Sequence, residues 1–417
     1  MSMSTLLSIN NYYYRRGGAE VVFLEQNRMF EERNWRVVPF AMQHPKNLPS
    51  PWAPYFIDEI EFGADYSAWE KLLKMPKVIY SLEARRKLGN LLSTVRPNIA
   101  HAHNVYHHIS PSIFGVLKRR NIPTVLTLHD LKLACPAYKM LAHDGICERC
   151  KDGALSHVVR NRCVKNSLAL SGMIWLEASV QRMLGCYADN VDRFITPSRF
   201  YLEKLVEWGW ERKRFVHIPN FVDVDAHKPD YAIGQAFLYF GRLAPEKGLT
   251  TLVKAAALAQ VPVWIVGTGP EEEALKQRVV QTGANVKFLG YKSGAELHAL
   301  VQAARAVVLP SEWYENAPMS ILESYALGRP VIGAAIGGIP ELIREDETGI
   351  SFKSGDVDAL AAALRRIADM PDAQVAHRGR SGRQWVENEF TVECYLERLL
   401  ALYGEFGVTR LSNSPAQ

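Results

Sequence analysis

Short apolar runs rich in β-branched and aromatic residues recur along the chain. Each is followed by a turn and then by a stretch whose apolar positions repeat about every 3.6 residues. In the first half the runs Thr5–Ile9, Arg36–Ala41, Ile99–His103, Thr124–Leu128 and Arg193–Pro197 read as strands. Between the first two, the stretch 19–33 puts Val22, Phe23, Met29 and Phe30 close to one helical face. The second half repeats the scheme with Phe237–Phe240, Val263–Val266, Val286–Leu289, Ala306–Leu309 and Pro330–Gly333. Apolar strands alternating with helices predict parallel sheets covered on both faces. The expected fold class is therefore α/β, with two doubly wound Rossmann-like domains facing across a cleft.

At 417 residues the chain exceeds the size at which one core usually keeps growing. The pattern breaks at Ile218-Pro-Asn-Phe-Val-Asp223, which predicts a first domain over 1–218 and a second over 219–390. A helix and tail fill 391–417; the amphipathic stretch Val392–Leu402 is apolar enough to pack back on the first domain, and 409–417 reads as disordered. Ligands of such sheets bind at the carboxyl ends of the strands, so two facing domains bring their loops to a shared crevice.

Composition adds little, but charge is uneven. Residues 1–210 hold 27 Lys+Arg against 19 Asp+Glu, and the remainder 22 against 25. A basic first half suits an anionic membrane surface or a phosphate-bearing acceptor, the alternative being a solvated surface; nothing points to nucleic acid. No apolar run approaches a membrane span and the N-terminus lacks a signal pattern, so the expected location is cytoplasmic, with peripheral attachment to the inner face of the membrane as an extension.

The chemistry concentrates at strand ends. Gly241-Arg-Leu-Ala-Pro-Glu-Lys-Gly248 follows a strand directly and lets Arg242 and Lys247 converge on one anion. In Ser311–Glu323, Glu315 sits in a turn, Pro318 at an expected first helical position, and Glu323 in the second helical turn. The amides of Met319 and Ser320 would then form an anion site at a helix start. Two Asp-x-Asp spacings, Asp223/Asp225 and Asp356/Asp358, read as capping or solvated carboxylates rather than a metal site. Alternation aims His101 and His103 to one face, as a metal pair or as polar residues behind the cleft.

These motifs in order resemble the retaining GT-B glycosyltransferases, specifically glycosyltransferase family 4 (glycosyl transferases group 1). The resemblance rests on Gly241–Gly248, on Glu315-x7-Glu323, on Ile218–Asp223 with Phe221 where the family usually has Gly, and on Gly17-Gly18-Ala-Glu20 and Thr127-Leu-His129-Asp130. It implies a metal-independent hexosyltransferase that moves a sugar, with retention, from a nucleotide-diphosphate sugar to a saccharide or lipid-linked saccharide in surface polysaccharide biosynthesis. Arg242 and Lys247 would hold the diphosphate and Glu323 the ribose. Glu315 would contact the sugar, with Asn316, Ala317, Pro318, Met319 and Ser320 completing the loop, Tyr291 bordering the base, and Gly17 and Gly18 closing from the first domain. His129 would lie near the sugar as a catalytic group beside Glu315, Arg242 and Lys247, while Tyr14, Arg15, Arg16 and His103 would face the acceptor. Other readings are a sugar-nucleotide epimerase of the same architecture and a non-catalytic sugar-nucleotide or glycan binder.

One feature stands outside that scheme. Cys135, Cys147, Cys150 and Cys163 fall in one polar insertion at about 131–166, and Cys147-x-x-Cys150 suits a tetrahedral thiolate site. Structural zinc is one reading and free thiols the other; no cofactor is expected for catalysis.

Overall fold

The computed structural model describes residues 3–59 and 76–408; the tail 409–417 lies outside them. In chain order the strands are β1 (Thr5–Ile9), β2 (Arg36–Phe40), β3 (Ile99–Ala102), β4 (Thr124–Thr127), β5 (Leu141–Ala142), β6 (Gly145–Ile146), β7 (Arg193–Thr196) and β8 (Phe215–His217). There follow β9 (Phe237–Phe240), β10 (Val263–Val266), β11 (Val286–Phe288), β12 (Ala306–Leu309), β13 (Val331–Ala334) and β14 (Gly349–Phe352). The first sheet has the order β2-β1-β3-β4-β7-β8 and the second β11-β10-β9-β12-β13-β14, with β5 and β6 forming a separate hairpin. All neighbours in both large sheets run parallel. This is a pair of Rossmann-like domains in the GT-B arrangement.

The apolar runs explain these strands. β1, β3, β4, β9, β12 and β13 are buried at every residue, as strands covered on both faces by crossover helices must be. Several expected strands run one residue too far: they stop at Phe40, Ala102, Thr127, Thr196 and Phe288, where the chain turns off the sheet. Sequence patterning missed β8, three residues just after Arg212-Lys-Arg214, and β14, whose Gly349-Ile-Ser-Phe carries only two large apolar side chains.

Strand order reverses between β1 and β3 in the first sheet and between β9 and β12 in the second. Loops leaving the carboxyl ends of strands at such a reversal diverge to opposite faces and leave a crevice. The final helix, Val392–Gly404, packs Leu396, Leu399 and Tyr403 among Leu6, Phe30 and Trp35 of the first domain. Where the chain crosses between domains twice, Phe221 lies 4.4 Å from the Tyr395 ring and Val222 N–H donates to Phe390 O at 2.8 Å. Among the described residues no helix is long and apolar enough to cross a membrane.

Candidate active site

The loop after β9 and the loop after β12 are interlocked. Gly248 has φ +65°, and a Cβ there would fall 1.9 Å from Pro310 O, so only glycine lets the two loops lie this close. Lys247 Nζ consequently donates to Glu315 Oε1 at 2.6 Å and sits 5.1 Å from the centre of the Trp313 ring. Ser311 Oγ donates to the same carboxylate oxygen at 2.7 Å, and Glu315 is only 7% exposed. Arg242, by contrast, is exposed, and its carbonyl accepts from Tyr239 OH at 2.8 Å.

The helix that follows spans Met319–Ala326, with Pro318 at its N-cap rather than its first helical position, so it begins one residue later than the sequence suggested. The first bond across its start runs from Ile321 N–H to Pro318 O at 3.2 Å, leaving the Met319 and Ser320 amides ahead of it. Glu323 lies in the second turn with no hydrogen-bond partner among the described residues, and burial pushes its carboxyl up to about 6. The two glutamates of the E-x7-E spacing thus differ: one is held by an ammonium and a hydroxyl, the other is unclaimed.

Across the crevice, Gly17 is the N-cap of the helix Gly18–Glu31. A Cβ at Gly18 would make only an ordinary 3.7 Å contact with Met319 Cγ, so the protein itself does not demand glycine there. His129 follows β4, half-buried, with Nε2 2.8 Å from His103 Nδ1. His101 and His103 do share a face, their rings stacked at 4.7 Å, and His103 is 1% exposed, packed between His101 and His129. Burial keeps all three imidazoles neutral, lowering His129 to about 4, His101 to about 3 and His103 well below the usual value. Tyr14 stacks on His44 at 4.5 Å, Arg16 lies 4.3 Å over Tyr12, and Arg15 pairs with Glu25. Tyr291 is exposed just beyond Gly290, whose carbonyl accepts from Gly267 N–H at 2.8 Å.

Several contacts between the domains have no signal in the sequence. Asn316 Nδ2 donates to Leu128 O at 2.9 Å while its Oδ1 accepts from Ser198 Oγ at 2.8 Å. Ala317 O accepts from Asn220 Nδ2 at 2.8 Å. Glu341 caps the helix Arg199–Glu207 from the other domain, accepting from the amides of Arg199 and Phe200 at 2.8 and 2.5 Å. The polar insertion reaches over as well: Lys139 pairs with Glu246 at 3.0 Å, and Glu148 accepts from Tyr314 OH at 2.9 Å and from Lys204 at 2.8 Å. Glu246 and Tyr314 are the immediate neighbours of Lys247 and Glu315.

Cys135, Cys147, Cys150 and Cys163 are free thiols. Among the described residues no group of three Cys, His, Asp or Glu side chains is arranged to hold a metal ion, so the spacing of the four cysteines does not by itself make a ligand set. Burial, reinforced by the neighbouring thiols, pushes Cys150 up to about 12 and Cys163 to about 11. In the Asp-x-Asp spacings, Asp356 caps the helix Val357–Ala368 and Asp223 accepts from the amides of Asp225 and Ala226.

Two family models cover most of the chain: Glycosyltransferase Family 4 matches residues 16–226, and Glycosyl transferases group 1 matches residues 229–385. The glycogen synthase of Mycobacterium tuberculosis is 29% identical over 347 residues, 80% of this chain and 74% of that protein. The O-antigen chain mannosyltransferase C of Escherichia coli is 31% identical over 202 residues, 48% of this chain and 53% of that protein. Among solved structures, the sucrose-phosphate synthase of Thermosynechococcus elongatus superposes with a TM-score of 0.69 at 20% identity, covering 97% of this chain and 100% of that one. HepE of Anabaena, solved with UDP, gives 0.66 at 17% identity over 97% of this chain and 100% of that one.

Proposed function

The chain belongs to glycosyltransferase family 4, and from that premise we propose that it moves a sugar, with retention of anomeric configuration, from a nucleoside-diphosphate sugar to a saccharide or lipid-linked saccharide acceptor in surface polysaccharide assembly. The observation that carries the reading is the contrast between Glu315, already bound to Lys247, and Glu323, half-buried with no side-chain hydrogen-bond partner among the described residues, on either side of a helix start at the strand-order reversal. A diphosphate entering there meets Lys247, Arg242 and the Met319 and Ser320 amides, while ribose hydroxyls satisfy Glu323.

Cleaving the glycosyl-phosphate bond leaves charge on the diphosphate as the sugar becomes oxocarbenium-like. Cations and amides fixed in advance stabilise that charge more than the ground state. Since side chains of this protein supply the cations, the chemistry proposed is metal-independent. Neutral His129 offers the sugar a hydrogen bond without adding positive charge beside the forming cation, and closure of the crevice keeps water from the donor. The acceptor attacks from the face that the diphosphate leaves, which gives retention without an enzymic nucleophile.

A membrane-facing acceptor side is part of the proposal. The helix Leu168–Met183 exposes Leu168, Trp175, Leu176 and Met183. Elsewhere in the same domain Arg85, Arg86, Arg119 and Arg120 line a groove. Exposed apolar side chains and a cluster of arginines in one domain suit an anionic lipid surface.

A thermal-shift screen against UDP-, GDP-, ADP- and dTDP-sugars, followed by NMR of the product anomer with a chelator present, tests the reaction. One nucleotide class should stabilise the protein and give a retained linkage; an inverted product or loss of turnover on chelation would reject the mechanism. Flotation with vesicles containing phosphatidylglycerol should carry the protein at low salt, and failure to float would remove the membrane role.

A further inference from the structure

Resting on the reading of His129 as a group that meets the transferring sugar, we infer that His103 is a positioning residue that fixes the tautomer of His129, so that His129 presents an Nδ1–H to the crevice. His103 Nδ1 and His129 Nε2 are 2.8 Å apart, and their rings lie edge to edge, centroids 5.1 Å apart with 17° between planes. Both imidazoles are neutral, so one of these two nitrogens carries the shared hydrogen and the other accepts it.

The surroundings decide which. His103 Nε2 is buried with no partner, whereas His129 Nδ1 is not among the buried unpartnered atoms. If His129 were the donor, His103 would carry its own hydrogen on Nε2, and a buried N–H would face no acceptor. An orphaned N–H is the rarer defect in folded proteins. With the hydrogen on His103 Nδ1, only a bare lone pair is sealed in. His129 must then hold its hydrogen on Nδ1, the nitrogen left for a ligand.

The layer beneath holds His103 in place. His101 stacks on it at 4.7 Å and is itself fixed, with Nε2 2.7 Å from Thr127 Oγ1 and Nδ1 accepting from Gln26 Nε2 at 3.1 Å. Tyr403, from the final helix, places its hydroxyl 2.7 Å from the same Nδ1. The helix that returns from the second domain thus supports the column that ends at His129.

Nitrogen-15 NMR of histidine-labelled protein reads the tautomer directly and needs no substrate. Wild type should show His129 as the Nδ1–H form. His103→Leu should lose that signature and lower kcat about 10- to 100-fold with donor KM nearly unchanged, whereas His103→Asn, which keeps an N–H near the Nδ1 position, should retain the signature and recover most of kcat. His129 found as the Nε2–H form in wild type, or equal losses in the two variants with an unaltered His129 signal, would overturn the inference. Absence of any transfer activity in wild type would instead count against the proposed function, leaving the tautomer still measured.

Discussion

The two strand-order reversals of this protein face each other and are built in opposite ways. The one in the second domain is charged: Arg242, Lys247 and Glu315 lie on the segments after β9 and β12, and Glu323 on the helix that follows. The one in the first domain is lined by imidazoles that burial keeps neutral, His101 stacked on His103 and His103 joined edge to edge to His129. In the proposed reaction a diphosphate would need fixed positive charge and a developing sugar cation its absence, and the two domains keep those two environments apart. Asn316 marks the seam between them by bonding Leu128 O and Ser198 Oγ of the first domain.

The comparison breaks most visibly if the charged side loses its ammonium. Lys247→Ala should reduce turnover by about 100- to 1000-fold, the loss typical of one transition-state donor. The fold should survive, because Glu315 keeps Ser311 Oγ and Lys247 is itself partly exposed. Initial rates with the donor identified by the screen, together with circular dichroism, check both halves. Wild-type rates in this variant would mean that the charged loops are not where the diphosphate sits.

Much of the charged side was legible in the sequence because each of its residues lies within a few positions of a strand end or helix start, where local pattern fixes direction. Arg242 and Lys247 follow β9 at once, and Glu315 and Glu323 straddle a proline that starts a helix. The neutral side was legible only in part: alternation put His101 and His103 on one face but could not tell that His103 would be buried between His101 and His129. The seam was not legible at all. Asn316, Lys139, Glu148 and Glu341 find partners 56 to 188 residues away, and no local period encodes such pairings. Phe221 is an intermediate case, since its departure from glycine makes sense once Tyr395 is seen against it. The cysteines gave only a spacing; that Cys135, Cys147 and Cys163 lie near enough to Cys150 to raise its thiol comes from the fold of the insertion.

Glu323 sharpens the contrast through pH. Burial raises its carboxyl from 4.5 in the unfolded chain to about 6, so the folded state holds this proton more tightly. The resulting stabilisation is complete below pH 4.5 and is lost as pH rises through about 6. Nucleotide binding should run the opposite way, because the ionised carboxylate is the stronger acceptor for ribose hydroxyls. Calorimetric titration with UDP and GDP between pH 5.5 and 7.5 should show affinity for the preferred nucleotide increasing several-fold, on the order of 1 kcal/mol for a charge-assisted hydrogen bond. Glu323→Gln should bind weakly and lose the pH dependence; a variant that keeps the wild-type slope would assign the titration to another group.

The smallest effect concerns the insertion that ties the neutral side to the charged one. Burial alone would raise Glu246, but a hydrogen bond with its own backbone amide and the Lys139 ammonium at 3.0 Å bring it below the usual value. Glu148 is shared by Tyr314 OH and Lys204. Partly exposed pairs of this kind contribute about 0 to 1 kcal/mol each, so Lys139→Ala and Glu148→Gln should each raise donor KM by at most about fivefold. What distinguishes a latch from ordinary surface pairing is where the loss falls. Both substitutions act on neighbours of Lys247 and Glu315 without touching the donor, so they should leave the rate at saturating donor intact, and raising salt from 0.05 to about 0.5 M should weaken wild type towards the variants by screening the Lys139–Glu246 pair. A fall in saturating rate equal to the rise in KM would mean instead that the insertion shapes the reacting geometry itself, and the boundary between the two environments would have to be redrawn to include it.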